Sequence, residues 1–196
     1  MSKLVISGYY GFGNAGDEAM LSAMVSALRA LDPTLSITVI SGNPADTCRR
    51  YPVASVHRLN LWGIAQALRR ADLLVSGGGS LLQDVTSGRS IFYYLGILQL
   101  ACLLGCPIML YAQGIGPIRS KLARSFMRHI GNRIVAGTVR DAGSLAELAG
   151  LGVSTDKVSV TADPVLALPP VDLTPGRDIL DGLSMQGDGP LIGFAV

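Results

Sequence analysis

Lys3-Leu4-Val5-Ile6-Ser7 runs straight into Gly8-Tyr9-Tyr10-Gly11-Phe12-Gly13-Asn14-Ala15-Gly16-Asp17-Glu18, and helical spacing follows over Ala19–Leu31. A short apolar run, a glycine-rich loop and an amphipathic helix, in that order, make one strand–loop–helix unit of a parallel sheet. The opening run is too short for a secretory core and reads as the first strand. Outward from it the unit recurs. Strands are expected at Lys3–Ser7, Ser36–Ser41, Val53–His57, Asp72–Ser76, Pro107–Ala112, Arg133–Val139 and Lys157–Ala162. They are rich in Val, Ile and Leu, as strands covered on both faces must be.

Helices are expected between them. Ala19–Leu31 places Met20, Met24, Ala27, Leu28 and Leu31 on one face, and Leu61–Arg70 follows Asn60 as a cap. Ala123–Ile130 and Ser144–Ala149 complete the set. The stretch Ser90–Ile118 has no charged residue, but Gly96, Gln99, Gly105, Pro107 and Gln113 interrupt it. It reads as a buried helix over about 90–104 feeding a buried strand, not as a membrane span. The alternation implies α/β architecture: a doubly wound, mainly parallel, Rossmann-like sheet with no internal repeat. Residues 1–170 are expected to form this domain. Residues 171–190, mixing Pro, Gly and Asp, read as a linker with a short helix near Asp178–Leu183. Residues 191–196 read as the first strand of a second, truncated domain.

Composition narrows the partners. The 196 residues carry 16 Lys+Arg against 14 Asp+Glu, a formal charge of +2, which leaves no electrostatic footprint for nucleic acid. Hydrophobic residues make up 49% and charged residues 15%, which excludes a disordered chain. Cys48, Cys102 and Cys106 lack the count for a disulfide framework and the neighbours for a zinc site. No metal is expected, and the thiols point to a reducing, cytoplasmic setting.

In an open parallel sheet, ligands bind beyond the carboxyl ends of the strands, and here those ends carry unusual loops. Gly11, Gly13 and Gly16 satisfy G-x-G-x-x-G. A dinucleotide would also need an acid at the end of the second strand, and Ser41-Gly42-Asn43-Pro44 offers none before Asp46. Asp17 and Glu18 would repel a phosphate but suit a sugar hydroxyl, to bond it or take its proton; Asp17 as a plain helix cap is the alternative. Gly77-Gly78-Gly79-Ser80-Leu81-Leu82-Gln83-Asp84 brings a close-approach turn with three polar side chains, and a tight packing turn is its alternative. Gln113-Gly114-Ile115-Gly116-Pro117, Arg140-Asp141 and Asp163-Pro164 end later strands. Arg140 is placed to hold a carboxylate or phosphate, or to pair with Asp141. His57 and His129 have no ligand or nucleophile spacing and read as structural. Lys121, Arg124 and Arg128 share one helix face, either simply solvated or turned to an anionic membrane.

Taken together, Gly8–Ala19, Ser76–Asp84, Ala112–Pro117, Val139–Asp141 and Ala162–Pro164 resemble the polysaccharide pyruvyl transferase family, most of all its CsaB type. The resemblance implies two Rossmann-like domains facing a cleft, as in GT-B glycosyltransferases. It implies transfer of the enolpyruvyl moiety of phosphoenolpyruvate to an N-acetylmannosamine residue of a cell-wall glycan, giving a 4,6-ketal, with no resident cofactor. The acceptor is then polymeric or carried on a lipid diphosphate, with peripheral contact at the inner membrane face. Asp17 is expected to face the reacting hydroxyl. The acceptor is expected at Tyr10, Gly11, Asn14, Gly78, Gly79, Ser80, Gln83 and Asp84, and the donor at Arg140. The family's second half supplies most donor-binding cations, so this stretch is expected to be inactive alone. Two rivals share the architecture: a GT-B nucleotide-sugar glycosyltransferase and a non-catalytic ligand-binding module.

Overall fold

Seven strands form one parallel sheet: β1 (Lys3–Ser7), β2 (Ser36–Ser41), β3 (Ala54–His57), β4 (Leu73–Gly77), β5 (Ile108–Gln113), β6 (Ala136–Val139) and β7 (Val158–Val160). Their order is β3-β2-β1-β4-β5-β6-β7, with every neighbouring pair parallel. The computed structural model describes residues 1–85, 88–170, 172–183 and 192. The chain winds outward from β1 to β3, then returns to the other side of β1 to lay down β4. The loops after β1 and β4 therefore leave in opposite directions and open a crevice between them.

The helices are α1 (Ala15–Leu31), α2 (Pro44–Arg50), α3 (Leu61–Arg70), α4 (Gly88–Leu104), α5 (Lys121–Gly131), α6 (Ala142–Gly150) and α7 (Thr174–Gly182), with a 3-10 helix at Pro164–Ala167. The pleat divides the core in two. Leu4, Ile6, Ile37, Val39 and Val75 pack under Leu21, Met24 and Val25 of α1. Val5, Ile40, Leu74, Ile108 and Leu110 face the other way, onto Ile64 and Leu68 of α3, Leu95 and Leu98 of α4 and Met127 of α5. Each such side chain taken fully out of water stabilises the fold by roughly 1.5–3 kcal/mol before entropy is set against it.

Several expectations shift. The first helix begins four residues before Ala19, because Asn14 caps it: the Asn14 side chain accepts a hydrogen bond from the Asp17 amide. Its buried stripe is Met20, Leu21, Met24 and Val25, while Leu31 stands 83% exposed. The short α2 was not expected, although Asn43-Pro44 is a cap followed by a proline already set for the first helical turn. Asp46 is tied to Arg49 and Arg50 within that helix, with no part in a ribose site. The uncharged stretch is a buried helix and strand, α4 and β5. Among the described residues no helix is long and apolar enough to cross a membrane. The helix expected at Asp178–Leu183 is α7, which starts four residues earlier. The strand expected at 191–196 lies, apart from Ile192, outside the described residues.

Candidate active site

The loop after β1 and the first turn of α1 bring Asn14, Gly16 and Asp17 to one wall of an open cleft of about 460 Å³. Gly79 from the β4 loop forms its floor with Met20, and Arg140, Asp163 and Leu166 close the far side. Arg140 also lines a neighbouring cleft of about 300 Å³, between the β5 loop and the start of α6. One guanidinium thus stands on the ridge between two depressions at the carboxyl rim of the sheet.

Arg140 is held from three directions. Its Nη2 donates to Ser80 Oγ at 2.7 Å, Nε lies 3.6 Å from Asp141 and Nη1 lies 3.8 Å from Asp163. The two carboxylate contacts are longer than hydrogen bonds, so part of the fork remains available to an anionic ligand. Asp141 itself caps α6 through the Ser144 amide at 2.7 Å, and that amide hydrogen bond holds its carboxyl below the usual range. Asp163 caps the 3-10 helix through the Val165 amide at 3.0 Å. A Cβ at position 114 would come within 2.8 Å of Ser80 Oγ and 2.9 Å of Arg140 Nε, so glycine at 114 makes room for the guanidinium to cross the loop.

Asp17 is half-buried, and desolvation, then the neighbouring Glu18 charge, hold its carboxyl above the usual value. Such a group is a better proton acceptor than an ordinary aspartate. Glu18 faces inward: Oε1 accepts the Gly11 amide at 2.8 Å and Oε2 accepts Tyr51 Oη at 3.3 Å, pinning the glycine loop to the turn before β3. Beneath the site, Gln113 is fully buried, donates to the Gly79 carbonyl at 2.7 Å and accepts Ser76 Oγ at 3.2 Å. Ala112 beside it has φ of +45°, at a shift in register between β5 and β6, and its amide donates to Thr138 Oγ1 at 2.7 Å. An alanine in this region costs about 1–2 kcal/mol, and bulges of this kind often adjoin sites.

Of the residues expected at the site, Asp17, Asn14, Gly79, Ser80 and Arg140 line these two clefts. The others are placed elsewhere. Tyr10 is buried, its hydroxyl donates to the Gly77 carbonyl at 2.9 Å, and burial pushes that hydroxyl's pKa up, so it supports the crevice from below. Gly11 packs against Ser41, the last residue of β2, and Asn43 of the loop after it. Gly78 packs under Met20. Gln83 packs against Gly116. Asp84 accepts the Ser120 amide at 2.7 Å and the Arg119 amide at 2.8 Å, which tie the β4 loop to the start of α5 and hold its carboxyl below the usual range. Asp163 and Leu166 were not expected to line the cleft; Asp163-Pro164 alone signals only a turn, and Leu166 follows from the 3-10 helix that turn starts. Among the described residues no group of three or more His, Cys, Asp or Glu is arranged to hold a metal ion.

The sheet order and the crevice at its switch point define a Rossmann-like α/β domain with open clefts at the carboxyl rim. The family model for polysaccharide pyruvyl transferases matches residues 14–190, and the chain belongs to that family. Among solved structures it is similar to HepE of Anabaena in complex with UDP-glucose, at 11% identity and a TM-score of 0.56, covering 94% of this chain and 50% of that one. It is also similar to MnaA of S. aureus in complex with UDP, at 15% identity and a TM-score of 0.56, covering 92% and 50%. A UGT transferase of Siraitia grosvenorii in complex with UDP has 13% identity and a TM-score of 0.52, covering 95% and 56%. These likenesses are of fold, and the chain spans about half the length of each of these structures. No curated protein matches the sequence.

Proposed function

We propose that the protein transfers the enolpyruvyl group of phosphoenolpyruvate to a mannosamine-type residue of a cell-wall glycan and closes it into a 4,6-ketal. Membership of the pyruvyl transferase family supports the reaction class. The observation that carries the reading is the convergence of a half-buried carboxyl, Asp17, and a partly free guanidinium, Arg140, on one open cleft.

In this reading Asp17 accepts the proton of an acceptor hydroxyl as its oxygen bonds C2 of the donor. The donor's methylene takes up a proton and becomes the methyl group. The second hydroxyl then forms the other C–O bond at C2, its proton leaves, and phosphate departs with the C2–O bond pair. Arg140 holds the donor's carboxylate or phosphate as charge grows there. Asn14, Gly79 and Ser80 place the acceptor. A second Rossmann-like domain facing this rim supplies the remaining cations, and the acceptor is polymeric or lipid-carried, met at the inner membrane face.

The second reading is a nucleotide-sugar glycosyltransferase, favoured by similar structures that hold UDP and UDP-glucose. Incubating the full-length enzyme with a mannosaminyl acceptor and either phosphoenolpyruvate or a UDP-sugar decides between them. Our reading expects a product heavier by one ketal-linked pyruvate, with release of inorganic phosphate. A hexose adduct, or no product from phosphoenolpyruvate, overturns it.

A further inference from the structure

Acidic residues are absent from 47–71 and again from 85–140, the stretches that contain α3, α4 and α5. Those helices lie side by side, α3 against α4 and α4 against α5, over one face of the sheet. That face is therefore basic although the whole chain is nearly neutral. At its edge, α3 and the turn before it expose Leu59 at 71%, Leu61 at 63% and Trp62 at 74%.

The helix is two-sided. Ile64 and Leu68 point into the core. Trp62, Ala65, Gln66, Arg69 and Arg70 line a shallow groove on the opposite side, at helical spacings of three and four. Arg69 and Arg70 are exposed and have no ion-pair or hydrogen-bond partner among the described residues. A ten-residue helix is about 15 Å long, so one flat surface meets the tryptophan at one end and the arginines at the other. An exposed indole flanked by leucines, with free arginines further along the same side, offers one surface both an apolar anchor and charges for anionic headgroups. The basic stripe expected on α5 is less free: Arg124 donates to the carbonyls of Ile118 and Gly150, and Arg128 lies along Gly152.

We propose that α3 and its preceding turn dock the protein on an anionic lipid bilayer, with Leu59, Leu61 and Trp62 entering the interface and Arg69 and Arg70 over the headgroup phosphates. Charge complementarity selects this occupant. Placement supports it too: α3 starts four residues beyond the end of β3, at the carboxyl rim that holds the Asp17–Arg140 cleft. Arg58 in that turn stacks on Phe12, 5.2 Å from the ring centroid, and so joins the turn to the loop leading to Asp17. Docked along α3, the domain lies with its side on the bilayer and the cleft's rim at the tryptophan end, beside the surface, where a lipid-carried acceptor would be met; only this last step rests on the glycan-transfer reading.

Trp62 is the one tryptophan of the chain, so its emission reports on this surface. The protein is titrated, without substrates, with vesicles of phosphatidylglycerol and phosphatidylcholine mixed, or of phosphatidylcholine alone. The expected result is co-sedimentation with the anionic vesicles only, a blue shift, protection from an aqueous quencher, and weakening by salt. Arg69→Glu with Arg70→Glu should bind about 30-fold more weakly at unchanged circular dichroism, and Lys121→Glu should matter less. The proposal is overturned by unchanged emission with anionic vesicles, by equal binding to the neutral ones, or by an α5 variant that matters as much. A Trp62 already shielded in the free protein overturns it, as does a dimer that the double variant dissolves. Transfer to a soluble acceptor without vesicle binding sinks only this inference; vesicle binding without transfer sinks only the proposed function.

Discussion

The loops after β1 and β4 both spend glycines freely, yet they use them differently. In the first, Gly11 adopts φ of +79° so that the chain can lie against Ser41 and the Asn43 amide. In the second, Gly79 adopts φ of +71°, and a Cβ there would stand 3.1 Å from Asp17 Oδ1. One glycine lets the protein approach itself; the other leaves space beside a half-buried carboxyl. A glycine cluster at a strand end thus announces close approach without saying of what.

The largest effect tests the carboxyl that the second loop's Gly79 leaves room for. Asp17→Asn in the full-length enzyme should cost roughly 10²-fold in kcat, the scale of lost general-base assistance, at nearly unchanged melting temperature. The acid limb of the wild-type rate profile should lie above the ordinary carboxylate range, because burial and Glu18 raise the Asp17 pKa. An unaffected rate leaves the cleft without its base. Arg140→Lys keeps a charge but loses the fork that spans Ser80 and Asp163, so it should raise KM for the donor more than it lowers kcat.

The next effect separates the two glycines. Gly11→Ala meets backbone it cannot displace and adds strain at positive φ, for a loss of roughly 2–4 kcal/mol in urea unfolding. Gly79→Ala meets the ends of movable side chains, Asp17 and Met20, so it should cost roughly 1–2 kcal/mol of stability. Its larger effect should be on turnover, because it crowds Asp17. Equal effects of the two variants on both readouts would erase the distinction.

Most of the sheet was legible because its strands are covered on both faces, and runs such as Leu4–Ile6 and Leu74–Val75 have to be apolar without alternation. The rim was legible as a set of loops but not residue by residue. Tyr10, Gln83 and Asp84 are the polar types a sugar site uses, and nothing in sequence spacing shows that their partners are the Gly77 carbonyl, Gly116 and the amides of Arg119 and Ser120. Those partners lie tens of residues away and are fixed only by strand order. The bulge at Ala112 and the inward turn of Glu18 were hidden for the same reason. The α1 stripe was read one flank off: Leu21 and Val25 join Met20 and Met24 in the core, while Leu31, the helix's last residue, is exposed.

The smallest predicted effect sets the loops against each other by proton linkage. Asp17 and Asp84 share an ordinary value of 3.8, and the fold moves them in opposite directions. Asp17 is raised in the folded state, so its favourable contribution exists below the unfolded value and is lost as pH rises through the folded one. At neutral pH its ionised form is a liability, and Asp17→Asn should make the domain slightly more stable. Asp84 is lowered, first by the Ser120 amide and then by Arg119, so its contribution exists above the unfolded value and is lost as pH falls through the folded one. Asp84→Asn should therefore weaken the domain at neutral pH. Urea unfolding of both variants and the parent at about pH 7 and about pH 3 reads the signs, and both differences should shrink on the acid side. If the two substitutions shift stability in the same direction at neutral pH, the carboxyl in the cleft is not held apart from the one that ties the loop.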